Sequence, residues 1–291
     1  MANKLLAKYI NGNYTVKLYQ DGTKVKQTKF DEFIAQFPDS MDLKITNYCN
    51  LNCPMCHEKS STKGKHGDLN AAFLKTLKAG TELAIGGGNP LSHQDLPKFL
   101  EQMKDQNVIC NLTVNEQHLL QNIDTLQHFI DSKLIYGLGI SLNQCNEQTI
   151  KFAKKNKNVV FHIINGLFTN FEKIANKNLK ILILGYKQFG RGKDYYNKDI
   201  EQQMLKNKHQ IISLFSCFKC ISFDNLALKQ LEIEKLVPKQ TWEQSYMGDD
   251  GDSTMYVDLV KKQFAVSSTS TKRYMLLDNI EDMFNIVKKQ K

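Results

Sequence analysis

From Met41 onward, short apolar runs alternate with segments whose apolar residues recur at helical spacing. The apolar runs are "DLKIT" (42–46), "ELAIGG" (82–87), "VICNLTV" (108–114), "LIYGLGISL" (134–142), "VVFHIING" (159–166) and "LKILILGY" (179–186). Between them, "LNAAFLKTLKAG", "LPKFLEQMKDQ", "EQHLLQNIDTLQHFIDS" and "NEQTIKFAKKN" read as amphipathic helices. Strand–helix units in series predict a parallel sheet with right-handed crossovers, an α/β fold. The near-continuous apolar character of the strands is that of a sheet covered on both faces.

The ends of the chain read differently. "YTVKLYQDGTKVKQTKF" alternates apolar and polar residues on both sides of Asp21-Gly22, which predicts a β-hairpin within residues 4–30. After Tyr186, "KQFGRGKDYY" reads as a loop, followed by a long helix carrying Ile200, Met204, Ile211, Ile212 and Phe215. A short strand "CISF" (220–223), a helix "DNLALKQLEIEKL", a hairpin within 253–268 and a closing helix "NIEDMFNIVKKQ" complete the chain. The acidic "MGDDGDSTMY" lacks calcium-loop spacing and reads as the lead-in to that hairpin. The expected organisation is an N-terminal β-hairpin extension (1–40), a central strand–helix body (41–225) and a C-terminal α/β extension (226–291) packed on it.

Composition narrows the class. Of 291 residues, 41% are hydrophobic and 24% charged, as in folded globular chains. No apolar run approaches the roughly 18 residues of a membrane span. "MANKLLAKYINGNY" lacks the apolar core of a signal peptide, so a cytoplasmic protein without membrane partners is expected. The net charge of +9 favours anionic partners, nucleic acid among them. However, the lysines lie in mixed runs such as "KFAKKNKN", which read as solvated helix faces rather than a nucleic-acid footprint. Seven cysteines in a chain with no export signal point to metal or redox chemistry rather than disulfides.

The chemistry concentrates in "TNYCNLNCPMCHEK", Thr46 to Lys59. Cys53, Cys56 and His57 spell the C-x-x-C-H of a c-type haem, but the surrounding strand–helix alternation is unlike a small haem-wrapping domain. Zinc needs four ligands, commonly from two knuckles; Cys217 and Cys220 would have to supply the second, and the adjacent Cys56 and His57 rarely both reach one tetrahedral ion. An iron–sulfur cluster takes one thiolate per iron. Cys49, Cys53 and Cys56 supply three and leave one iron open. The loop follows the first strand of the series, at the strand end where α/β barrels place their chemistry.

Through "CNLNCPMC" and the strand–helix series over about residues 41–225, the chain resembles the radical S-adenosylmethionine (SAM) enzymes. The resemblance implies a partial (β/α)6 barrel in which Cys49, Cys53 and Cys56 ligate a [4Fe–4S] cluster. The open iron would bind SAM, and an external flavodoxin- or ferredoxin-like donor would supply the electron that cleaves SAM to a 5′-deoxyadenosyl radical. It further implies that the "GGGNP" after the second strand, Gly86, Gly87, Gly88 and Asn89, meets the SAM amino group, although Asn89-Pro90 depart from the family's acidic version. Ser141 or Asn143 would lie near the ribose, and Ile163 and Met55 near the adenine. Asn165 and Gly166 fall out of the family's register, and Met55 stands where many members carry an aromatic residue.

Other residues are weighed by position. His57 and Glu58 read as solvent-facing loop residues. His162, within an apolar strand, is a candidate for the barrel interior facing substrate. Lys187 and Arg191, in the loop after the sixth strand, are candidates for binding a substrate carboxylate or phosphate. Cys217 and Cys220 raise the prospect of a second cluster, for which only Cys110 and Cys145 remain as further ligands, in separate elements. The expected substrate is a peptide or protein, or a nucleotide or RNA. The contrasting reading is a non-catalytic iron–sulfur or zinc protein that binds nucleic acid.

Overall fold

A computed structural model describes residues 4–290. Residues 1–3, at the start of the expected N-terminal extension, and residue 291, at the end of the C-terminal one, lie outside the described residues.

The predicted hairpin forms as β2 (Tyr14–Tyr19) and β3 (Lys24–Thr28), turning through Asp21-Gly22. A preceding strand, β1 (Leu5–Asn11), pairs antiparallel with β2, so the hairpin is part of a three-stranded sheet. Tyr14, Val16 and Leu18 alternate along β2 and are all buried. Asp39, wholly buried, secures this sheet to the rest of the chain. Its carboxylate accepts from Asn11 Nδ2 and Tyr14 OH and pairs with Lys26 Nζ, each at 2.7 Å. A carboxylate removed from water requires partners of this kind.

The second sheet contains β4 (Ser40–Thr46), β5 (Glu82–Gly87), β6 (Ile109–Asn115), β7 (Gly137–Ser141), β8 (Val159–Ile164), β9 (Lys180–Leu184), β10 (Cys220–Phe223), β11 (Thr254–Asp258), β12 (Gln263–Ala265) and β13 (Tyr274–Met275). Their order is β10-β9-β8-β7-β6-β5-β4-β11-β12-β13. Pairing is parallel from β10 through β11, and β12 and β13 add antiparallel. The six expected strands and "CISF" all form. The hairpin within 253–268 forms as β11–β12, and it joins the central sheet edge-on, because β11 pairs with β4.

The helices are α1 (Leu96–Asp105), α2 (Glu116–Gln121), α3 (Ile123–Asp131), α4 (Glu147–Lys155), α5 (Arg191–Tyr195), α6 (Lys198–Leu214), α7 (Asn225–Leu231), α8 (Lys239–Ser245) and α9 (Ile280–Lys288). "LNAAFLKTLKAG" does not form the expected helix; it makes one 3₁₀ turn, Ala72–Thr76. There Thr76 Oγ1 donates to Phe73 O at 2.7 Å and accepts from Ile280 N at 3.0 Å, side-chain bonds that compete with helix continuation. The expected helix after β6 divides into α2 and α3 at Asn122, whose side chain donates to His118 O. Among the described residues no helix is long and apolar enough to cross a membrane.

The two faces of the central sheet differ. Leu43, Ile45, Leu83, Ile85, Leu112, Val114, Ile140, Phe161, Ile163, Ile181 and Ile183 are buried in the hydrophobic core on one face. The alternate positions, among them Asn111, Thr113, Gly139, His162 and Lys180, line a cavity of about 310 Å³. Leu18, Tyr19, Asp21 and Gly22 of the N-terminal sheet also line this cavity. Side-chain bonds tie the ends of the sheet together, among them Lys187 Nζ donating to Ser268 Oγ at 2.9 Å and Asn225 Nδ2 to Asp250 Oδ1 at 2.7 Å.

Candidate metal centre

Beyond Thr46 the chain leaves β4 and enters the cysteine loop. Asn47 N donates to Lys65 O, Ser61 N to Asn47 O, and Cys49 N to Ser61 O, all at 3.0–3.1 Å. The end of β5 lies alongside: Gly88 N donates to Thr46 O and Asn89 N to Tyr48 O, both at 2.7 Å. This proximity depends on the glycines. A Cβ on Gly87, at φ +116°, would lie 2.2 Å from Thr46 O, and one on Gly88 2.2 Å from Tyr48 O. Asn52 turns the loop with a left-handed φ of 47°, which asparagine tolerates better than most residues. Cys56 N then closes a turn on Cys53 O at 3.2 Å.

Cys49 is buried, while Cys53 and Cys56 are partly open. Burial, then the charges of Cys49 and Cys56, push the Cys53 thiol up, with Arg191 acting in the opposite direction. Cys53 is therefore within electrostatic reach of both Cys49 and Cys56, and all three are free of disulfides. Among the described residues, no three His, Cys, Asp or Glu side chains converge on a position for a single ion. A cubane distributes its thiolates over separate irons and asks for a spaced triplet instead. Three free thiols on one loop are the donor type that such a cluster takes.

The side chain after the triplet is only partly exposed, unlike the solvent-facing position expected for it. His57 lines a small recess with Met55, Ile164, Leu184, Tyr186 and Lys187. Burial and the nearby Lys187 lower its pKa to about 4, against the opposing pull of Glu58. Glu58 is also turned inward. It forms an ion pair with the buried Lys44 of β4 and accepts from Tyr256 OH of β11 at 3.2 Å. Lys44 pairs in addition with Asp258 at 3.2 Å. Despite desolvation, Lys44 holds the Glu58 carboxyl below its ordinary value. A charged residue amid the apolar "DLKIT" was the sequence signal for this network.

The other candidates divide by position. Gly86 faces open space, where a Cβ would meet only Thr113 Cβ at 3.9 Å. Gly87 and Gly88 are committed to the cysteine loop, and the Asn89 side chain accepts from Leu91 N at 3.2 Å. Ser141 ends β7. The Asn143 and Asn115 side-chain amides bond to each other at 3.1 and 3.3 Å. Ile163 lies in the core on the opposite face from the cavity, and its neighbour His162 lines that cavity. Burial lowers the His162 pKa to about 4, so its ring is neutral near pH 7. Lys187 donates to Ser268. Arg191 is not directed at an open site but binds the carbonyls of Cys53 and Ser60. Cys217 donates to Ser213 O, Cys220 is exposed on β10, and Cys110 and Cys145 are buried elsewhere.

Two further residues brace this end of the sheet without a sequence signal. His118 Nε2 lies 2.8 Å from Asn50 Oδ1, next to Cys49. Glu116, almost fully buried, accepts from the backbone N–H of Asn143, Gln144, Cys145 and Asn146 at 2.5–3.1 Å. Those bonds overcome desolvation and hold its pKa below the ordinary value.

No protein-family profile matches the chain. Similarity to curated proteins is partial. A probable GTP 3′,8-cyclase of Methanococcus maripaludis is 38% identical over 84 residues, 26% of this chain and 28% of that protein. A namesake in Methanocaldococcus jannaschii is 27% identical over 140 residues, 44% of each chain. The matched segments thus span less than half of these relatives. Among solved structures, Streptococcus suis SuiB bound to S-adenosylmethionine superposes with a TM-score of 0.60 at 14% identity, over 88% of this chain and 68% of SuiB. SuiB bound to its precursor peptide SuiA gives the same score, covering 65% of that chain. These similarities support the resemblance to the radical SAM enzymes.

Proposed function

We propose that this protein is a radical SAM enzyme built on a partial (β/α)6 barrel. The observation that carries the reading is the free thiol triplet of Cys49, Cys53 and Cys56, on a loop leaving the C-terminal end of β4 beside the glycine end of β5. These cysteines would hold a [4Fe–4S] cluster, and the residues around them would hold SAM. The chemistry the cluster would supply when bound is one-electron reduction of the SAM sulfonium, which breaks the C5′–S bond to give methionine and a 5′-deoxyadenosyl radical for hydrogen abstraction.

The chain's own contribution is positioning and shielding. Gly86 lacks a Cβ on the face where the SAM amino group would approach a strand-end carbonyl. Ser141 and the Asn115–Asn143 pair would offer polar contacts at the ends of β7 and β6 for the ribose. Met55, on the cysteine loop, would border the adenine, whereas the Ile163 side chain is turned into the core and would contribute backbone alone. The bonds joining the ends of the sheet would help to limit the access of bulk water to the site. Neutral His162 and the cationic Lys187 would face substrate.

The substrate would be a peptide or a nucleotide, the former as the SuiA peptide is for SuiB, the latter as the name GTP 3′,8-cyclase implies for those relatives. The electron would come from an external flavodoxin- or ferredoxin-like donor in the cytoplasm. Anaerobic reconstitution with iron and sulfide, followed by dithionite and SAM, tests the reading. We expect 5′-deoxyadenosine from the wild type and none from Cys53→Ala. About four irons per chain with no SAM cleavage would sink it. Acceleration of cleavage by peptides or by nucleotides identifies the substrate class.

A further inference from the structure

Arg191 occupies an unusual place for a residue after the sixth strand of the series. Its backbone N–H donates to Cys56 O at 3.1 Å, its Nε to Cys53 O at 3.0 Å and its Nη2 to Ser60 O at 3.0 Å. One residue thus gathers three carbonyls of the segment that carries two of the three thiols. The strap around it is shaped for this contact. Gly190 adopts φ +57°, and a Cβ there would lie 2.2 Å from His57 O and 3.0 Å from Cys56 O. A Cβ on Gly192 would lie 3.0 Å from Met55 O. Tyr186 OH donates to Gly192 O at 2.8 Å and pins the strap's far end. Among these contacts, only the guanidinium brings a permanent charge beside the cysteine turn.

Two physical consequences follow. A planar fork with fixed donors holds two carbonyls in one relative orientation, which a flexible ammonium does not. A cation near the thiolates stabilises the more negative, reduced form of a cluster, whose potential depends on local charge. We propose that Arg191 is a positioning residue for the cluster, fixing the Cys53–Ser60 turn and raising the cluster's reduction potential. This inference rests on the proposed cluster assignment, and it removes Arg191 from the substrate-binding residues.

The test compares wild type, Arg191→Met, Arg191→Lys and Gly190→Ala after anaerobic reconstitution. Iron release to a chelator, the midpoint potential of the cluster and the thermal unfolding of the apo-protein are measured. Arg191→Met should weaken iron retention roughly 10- to 100-fold, as loss of an outer-shell partner does, and shift the midpoint to a more negative value. Arg191→Lys should keep the midpoint near that of the wild type while retaining iron poorly, which separates charge from fork geometry. Gly190→Ala, which lifts the strap with Arg191 intact, should release iron faster and provides the reading if Arg191→Met fails to fold. Wild-type iron retention and midpoint in folded Arg191→Met overturn the proposal. A wild-type cluster that never cleaves SAM would instead remove the proposed function and leave these differences intact.

Discussion

The amide of Asn89 donates to the carbonyl of Tyr48 at 2.7 Å, so the end of β5 is bonded to the residue immediately before Cys49. The three glycines ahead of Asn89 therefore have separable roles. Gly88→Ala would drive a Cβ to 2.2 Å from Tyr48 O, a backbone atom that cannot swing aside. We expect a loss of about 1–3 kcal/mol, as for other overpacked sites, with reduced iron loading. Gly86→Ala meets nothing closer than 3.9 Å and should unfold like the wild type. Its defect should appear in SAM binding alone. Denaturant unfolding and equilibrium SAM binding on the two variants check this, and equal effects on stability would contradict the division.

Lys44 joins the cysteine loop to the C-terminal strands by pairing with Glu58 and Asp258. Lys44→Met leaves two carboxylates facing each other in a partly dry site. Breaking a buried pair from one side typically costs about 3–5 kcal/mol, and the partial exposure of Glu58 puts the expectation at the low end. Lys44→Met combined with Glu58→Gln should recover part of the loss, because one stranded charge is removed. Urea unfolding of the single and double variants measures both; no recovery in the double variant would show that the charges are uncoupled.

The strands were legible because their core-facing positions alternate from β4 through β9, and apolar residues, mostly Leu, Ile and Val with Phe161 among them, fill them. The opposite face was harder to read. Gly137, Gly139 and His162 fall within otherwise apolar runs, and only the period of two shows that His162 and Ile163 face opposite ways. That parity is why Ile163, matched to an adenine contact by motif alone, lies in the core. The cysteine triplet was legible from local spacing. Arg191 and Glu116 were not, since each acts on backbone groups of a segment distant in sequence, and such bonds leave no pattern in composition or period. The helix expected over 69–80 fails for a similar cause, because its Thr76 hydroxyl is engaged by Ile280.

His162 gives the protein a pH signature. Burial lowers its pKa from 6.5 to about 4, so the unfolded chain binds a proton that the folded one refuses between these values. Stability therefore rises with pH across that window and is lost as pH falls from about 6.5 towards 4. The full shift corresponds to at most about 3 kcal/mol, and water entering the cavity reduces it. His162→Gln should flatten this part of the stability profile. Unfolding free energies measured between pH 4 and 7 for both proteins check it, and parallel profiles would place the titration elsewhere.

Cys217 and Cys220 have the spacing of a second metal site but not its surroundings. Cys217 Sγ donates to Ser213 O at 3.3 Å, and Cys220 stands exposed on β10 at the sheet edge. The remaining cysteines, Cys110 on β6 and Cys145 in the loop between β7 and α4, are buried apart from them, and burial pushes the Cys110 thiol up to about 12. A thiol so reluctant to ionise is a poor ligand, because metals bind the thiolate. Two ligands are too few for a cluster. We expect the double variant Cys217→Ala, Cys220→Ala to reconstitute with the same iron and sulfide content as the wild type, and Cys49→Ala to lose most of both. Loss of about half the iron in the double variant would establish a second cluster and require a rearrangement of β10 to bring further ligands to it.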